Sequence, residues 1–257
     1  RAHKNTAVAL KTRVLLAMGD HAGVIREGNK IVSATAPFRS AVRVAHALQS
    51  DVTAVFKAPY TTSESILSFP MDATNAPGTQ NQLGFYWNAG NVEYTLNTGP
   101  TGIYSNAQFA ATDDRKTKLT VSKTAIANAP SLTNFSGVAP FVDFVPNIRY
   151  AEVLLNLAEA EAEAGNATRA LALLTAVHQR SDATYDFGTL AKADLIKAIL
   201  MERRIEFIAE GFRANDVLRR GEPLNSFGAG AVIQSSDPRY IYGIPLTEIQ
   251  TNPAIGK

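Results

Sequence analysis

NIRYAEVLLNLAEAEAEAG (residues 147–165), NATRALALLTAVHQR (166–180) and, after a loop, ADLIKAILMERRIEFIAEGFRANDVLRRG (193–221) decide how this chain folds. In the first piece Tyr150, Val153, Leu154, Leu157 and Ala158 recur at the spacing of one helix face. Glu152, Asn156, Glu159 and Glu163 fall between them and are expected to face solvent or a neighbouring helix. Gly165-Asn166 supplies the left-handed stop that ends a helix without a Cβ clash. A second helix follows, with Ala170, Leu174 and Val177 on its buried side.

The same plan recurs near the start of the chain. Across residues 6–33, Val8, Thr12, Leu15 and Leu16 give one face, Gly19-Asp20 the break, and Val24, Gly28 and Ile31 the returning helix. Superposed on the two glycines, Gly19 matches Gly165, Val24 matches Ala170 and Ile31 matches Val177. Two helix pairs with small or β-branched residues at their crossings predict a mainly α, tetratricopeptide-like scaffold. The third stretch differs. Leu195, Ile196, Ile199, Leu200, Phe207 and Ile208 make it too apolar for a solvated charged helix, yet it carries Glu202, Arg203, Glu206 and Glu210. Some of these charges must therefore lie against protein, paired and hydrogen-bonded. Glu210-Gly211 is expected to close that helix.

Length and composition narrow the class. The chain has 257 residues, is 46% hydrophobic and 19% charged, and carries a formal net charge of +2, values of an ordinary globular protein. Lys and Arg are scattered, so no electrostatic footprint for nucleic acid is visible. The absence of cysteine removes disulfides and thiolate chemistry together. No apolar run approaches the roughly 20 residues of a spanning helix.

From residue 51 to 146 the helical periodicity vanishes and Gly, Pro, Asn, Thr and Ser become frequent. Such a length is far beyond a plain connection, so this region is read as a long, irregular, loop-rich cap on the scaffold. Residues 38–49, after Pro37, are expected to form a short helix, and residues 51–56, 83–87 and 91–96 short strands. The whole reads as a single domain: helical over 1–50, a cap insertion over 51–146, the helical core over 147–221, and a C-terminal loop and tail over 222–257.

Four kinds of residue bear on chemistry. Glu202, Glu206 and Glu210, with Glu152, Glu159 and Glu161, invite a glycosidase reading, which needs two carboxyls flanking a sugar bond. Structural ion pairs are favoured instead, because Arg203, Arg204, Arg213 and Arg219 lie close enough to pair with them. His3, His21, His46 and His178 show no metal-ligand spacing, and a polar surface role is expected for them. No nucleophile elbow, phosphate loop or dinucleotide fingerprint occurs. Aromatic residues cluster in the cap. Tyr86 and Trp87, with Asn81, Asn88 and Tyr104, are the candidate ligand-binding set, since a flat ring can cover a sugar face while amides bond its hydroxyls. In the competing reading Phe85 and Trp87 share the inward face of a strand and fill a core.

RYAEVLLNLAEA (149–160), ERRIEFIAEGFRANDVLRRG (202–221) and the closing IYGIPLTEIQTNPAIGK (241–257) together resemble the C-terminal signature of the SusD/RagB family of cell-surface glycan-binding lipoproteins. SESILSF (63–69) and the Asp113-Asp114-Arg115 triplet resemble weaker landmarks of that family. Ala214-Asn215 departs from it, standing where an aromatic pair is usual, and His178 stands where arginine is common. The resemblance implies a SusD-like fold from which an N-terminal part is missing, with the lipid anchor upstream of the residues at hand. It further implies a non-catalytic outer-membrane protein that takes up an oligosaccharide or other nutrient for a SusC-like TonB-dependent transporter, with no cofactor, metal or catalytic residue. In the family the Glu202-Arg203-Arg204 and Glu210-Gly211 elements hold helices together. A tetratricopeptide-type interaction module and a glycoside hydrolase are the alternatives.

Overall fold

The computed structural model describes residues 2–40, 42–78, 82–88, 93–136, 138–224 and 232–255. They are mainly α-helical. Residues 1–212 and 213–257 form two compact units.

In the first unit, α1 (Lys4–Ala17) and α2 (His21–Gly28) form one antiparallel pair. Gly19 makes the turn between them at φ +72°. Later in the chain α5 (Tyr150–Glu163) and α6 (Ala167–His178) repeat the arrangement about Gly165 at φ +89°. Both returning helices are capped alike: the Asp20 side chain accepts from Gly23 N–H and that of Asn166 from Arg169 N–H. The residues paired by the repeat, Val24 with Ala170 and Ile31 with Val177, are all buried. The scaffold of stacked helix pairs is as the sequence predicts.

Helix α5 is the centre of the unit. It packs against α1, α2, α6 and α7 (Lys192–Glu206), and every residue from Tyr150 to Ala162 is buried. The polar positions on it are therefore matched by neighbours. Glu152 takes a bidentate pair from Arg13 at 2.6 and 2.7 Å, Asn156 bonds Thr12 and Arg203, and Glu161 takes Arg169 at 2.7 Å. Helix α7 ends at Glu206, one turn earlier than expected, and the chain then turns through Ala209 and Gly211, both at positive φ.

Between the helix pairs the chain forms short pieces. β1 (Arg39–Ser40) and β2 (His46–Ala47) make an antiparallel hairpin where a helix was expected. The Asn5 amide explains the difference: it donates to the carbonyls of Val42 and Val44, which a helix would have consumed internally. Residues 52–56, expected as a strand, are a 3-10 turn capped by Asp51, which gathers Val52, Val55 and Phe56 into one apolar cluster with Leu119. The strand expected at 83–87 is instead α3 (Leu83–Asn88). Leu83 and Trp87, four residues apart, reach the same apolar cluster, a one-face match for a helix. Of the strand expected at 91–96, residues 91 and 92 lie outside the described residues and 93–96 have no regular structure.

β3 (Ser65–Phe69) runs antiparallel to β6 (Val145–Arg149), so the irregular region begins and ends side by side at the foot of α5. Helix α4 (Asp114–Lys118) and the hairpin of β4 (Thr120–Lys123) with β5 (Ala129–Leu132) complete it.

In the second unit α8 (Phe212–Arg220) is followed by a bridge between Leu224 and Ile233 and by the short α9 (Leu246–Thr251). The Tyr240 hydroxyl donates to the carbonyls of Val217 and Glu222 and ties the loop back to α8. No described helix is long and apolar enough to cross a membrane.

The left-handed turn at Gly165 has open space around it, so its cost to other residues is purely conformational. Gly165→Ala is expected to lower stability by about 1–2 kcal/mol, read as a shifted urea midpoint with an unchanged slope.

Candidate functional site

The carboxylates that invited a catalytic reading lie in a buried ion-pair cluster. Arg149, at the junction of β6 and α5, is 1% exposed. It bonds Glu64 at 2.6 Å, Glu206 at 2.7 Å, and Glu210 through two contacts at 2.7 and 2.9 Å. Arg115 from α4 reaches Asp113, Glu202 and Glu206, and Arg180, just past α6, reaches Glu64 and Glu206. His178 Nδ1 lies 2.6 Å from Glu202.

These guanidiniums set the carboxylates' proton affinities. Burial opposes ionisation of Glu206, but Arg180, Arg149 and Arg115 hold it well below the usual carboxylate range. Glu202 is lowered in the same way, burial being outweighed by Arg115 and His178. Glu210 goes the other way. Burial, with Glu206 and Glu64 nearby, pushes its carboxyl up to about 7 despite the bidentate Arg149. The void beside Arg115 and Glu206 is about 10 Å³, room for a water at most. Among the described residues the three carboxylate side chains are at most 2% exposed, out of a sugar's reach.

Structural ion pairing is therefore as expected, but the partners differ from those nearest in sequence. The guanidiniums that hold Glu202, Glu206 and Glu210 come from Arg115, Arg149 and Arg180. Arg213 pairs with Glu222, Arg219 with Asp216, and Arg203 donates to Asn156. The surface role expected of the histidines is corrected for His46, which is 2% exposed, and for His178. His178 is fully buried, with the rings of Tyr185 and Phe187 against it.

The aromatic candidates sort by burial. Trp87 is 8% exposed and packs among Leu96, Ile103, Phe109, Leu132, Phe135 and Ile205. Its position is that of a core residue, though on a helix and not a strand. Asn88 spends its amide on the carbonyls of Leu132 and Phe135. Tyr104 is half-buried, with the Lys116 ammonium 4.5 Å from its ring centre. Tyr86 is half-buried and its ring lies 5.2 Å from that of Tyr94, which is 48% exposed. Tyr86, Trp87 and Tyr94 are thus brought together, with Tyr86 and Tyr94 the more accessible, while Asn81 lies outside the described residues.

A roomier cleft, of about 230 Å³, opens elsewhere in the first unit. His3, Tyr60, Thr62, Ser65, Ser68 and Phe144 are among its lining residues. The sequence reading missed it. The signal available was the run of hydroxyl side chains from Tyr60 to Ser65, beside a segment, 63–69, read only for its family resemblance.

A buried arginine at the head of α5, with partners just before β3, at the end of α7 and beyond it, joins the motifs that bear the family resemblance. The SusD family profile matches residues 78–256. The chain belongs to the SusD family. A solved SusD superfamily protein from Bacteroides fragilis is 34% identical, covers all of this chain (100%) with a TM-score of 0.81, and is itself covered over 57% of its length. This SusD-family chain thus spans little more than half of that relative. A SusD-like carbohydrate binding protein from Bacteroides vulgatus (17% identity, TM-score 0.71, 97% of this chain and 58% of that one) shares the fold. So does surface glycan-binding protein A from Bacteroides thetaiotaomicron (16%, TM-score 0.60, 85% and 54%). No curated protein matches the chain.

The cluster gives stability a two-sided pH dependence. Glu202 and Glu206 titrate lower in the fold than their ordinary 4.5, so their contribution is present above that value and lost as pH falls below it. Glu210 titrates higher, so its contribution is present below 4.5 and lost as pH rises through about 7. In Glu210→Gln the fall in melting temperature across that upper window is expected to disappear while the acid limb remains. A wild-type slope retained between pH 5 and 7 would contradict the assignment.

Proposed function

We propose that this SusD-family chain captures a carbohydrate without cleaving it. The observation that carries the reading is the condition of the carboxylates. Glu202, Glu206 and Glu210 are each held by guanidiniums and, among the described residues, their side chains are at most 2% exposed. General acid and nucleophile roles need carboxyls that flank a sugar bond. Recognition then falls to the region between the helix pairs, where Tyr86 and Tyr94 offer aromatic surface and the cleft at Tyr60 offers hydroxyl groups. The names of the Bacteroides vulgatus and Bacteroides thetaiotaomicron relatives, carbohydrate binding and surface glycan-binding, support the same ligand class.

In this reading the rigid helical scaffold holds the ligand surface still, and several modest contacts retain the glycan while permitting release. The family resemblance supports a cell-surface position on the outer membrane, an upstream lipid anchor, and handover to a SusC-like TonB-dependent transporter.

Calorimetric titration with an oligosaccharide panel, followed by chromatography of the same mixtures, tests the reading. Saturable binding of a defined glycan with no new products is expected. Product release that persists through rigorous purification would overturn it, and so would a panel in which nothing binds.

A further inference from the structure

Tyr60 sits in backbone that L-residues rarely adopt. Its φ is +60°, in the left-handed region, and it is not a glycine. Such a conformation persists only where its surroundings over-determine it, and it recurs at ligand sites. Here two contacts hold the side chain. The ring stacks on Phe144 with centroids 4.7 Å apart and planes 16° from parallel. The hydroxyl donates to Asp143 Oδ1 at 3.0 Å, and Asp143 Oδ2 is fixed in turn by Ser136 N–H at 2.8 Å. Burial and Asp143 push the phenol up to about 12, so it stays protonated and directed at that carboxylate.

The cleft beside this pair has a distinctive lining. Thr61, Ser65 and Ser68 bring hydroxyls to it, and the Ser65 and Ser68 hydroxyl oxygens are 2.9 Å apart. Among the described residues the lining contains no Lys, Arg, Asp or Glu. Its one ionisable cation, His3, is driven towards the neutral form by burial.

We propose that this cleft is a subsite for one neutral sugar ring, with Tyr60 and Phe144 as its aromatic wall and Thr61, Ser65 and Ser68 as its hydroxyl partners. The inference rests on the capture reading and deepens it. A charged sugar would find no counter-ion here, whereas a neutral polyol matches hydroxyl for hydroxyl. At about 230 Å³ the space lies under the roughly 300–1,000 Å³ of drug-sized pockets. It suits a single ring of a longer chain.

The test compares wild type with Thr61→Trp, which fills the cleft from an exposed position, and with Ser68→Ala, which removes one hydroxyl without adding bulk. Each is titrated calorimetrically with neutral malto-, xylo- and manno-oligosaccharides and with oligogalacturonate, after circular dichroism melts establish that it folds. At least tenfold weaker binding of a neutral oligosaccharide in Thr61→Trp, and a few-fold loss in Ser68→Ala, is the expected result. Wild-type affinity in both variants would overturn the subsite and leave the capture reading intact. Binding confined to oligogalacturonate and lost in Thr61→Trp would overturn the neutral-sugar assignment. No binding by wild type would overturn both.

Discussion

Arg149 uses all five donors of its guanidinium inside the protein. Nε and Nη2 clasp Glu210, Nη1 bridges Glu64 and Glu206, and Nη2 also donates to the Glu206 backbone carbonyl. Taking one guanidinium and three carboxylates out of water is expensive, and only complete hydrogen bonding offsets it. Completeness is what the geometry provides. Arg149 thereby ties the residue before β3 and the end of α7 to the first turn of the central helix. Arg115 extends the cluster to α4, and Arg180 to the end of α6. Segments with little regular structure of their own are held to the scaffold by charge.

The same constraint bears on function. A carboxylate inside such a cluster is buried and fixed in place by guanidiniums, so it is well suited to holding a surface rigid. Breaking a buried pair typically costs about 3–5 kcal/mol. The cluster is thus a structural commitment, and the aromatic and hydroxyl-bearing surfaces lie outside it: Tyr86 with Tyr94, and the Tyr60 cleft.

How much of this could be read from the sequence depended on range. The helix pairs were legible because their signals are local: Gly19 and Gly165 for the turns, Asp20 and Asn166 as caps, and one-face periodicity in between. Charge burial in the third helix was legible too, since Leu195 to Leu200 left no solvated face for it. The partners were not, because Arg149 and Glu206 are 57 residues apart and Arg115 and Glu206 are 91 apart, and nothing local encodes such a contact. Short apolar runs misled in the expected way. Residues 52–56 and 83–88 satisfy a strand pattern as well as a helical one, and long-range packing of Phe56 and Trp87 chose the helical form. For the candidate site, Trp87 drew attention by type and proved to be core, while Tyr60 was passed over because a backbone angle cannot be seen in a sequence.

The most direct measurement of the account is native-state hydrogen exchange at low denaturant, followed by mass spectrometry. If the charge cluster unites the first unit, residues 64–69, 113–118 and 145–149 should open together with α5 and α7 at a single free energy. Separate low-energy opening of residues 64–69 or 113–118, with α5 and α7 still protected, would contradict it.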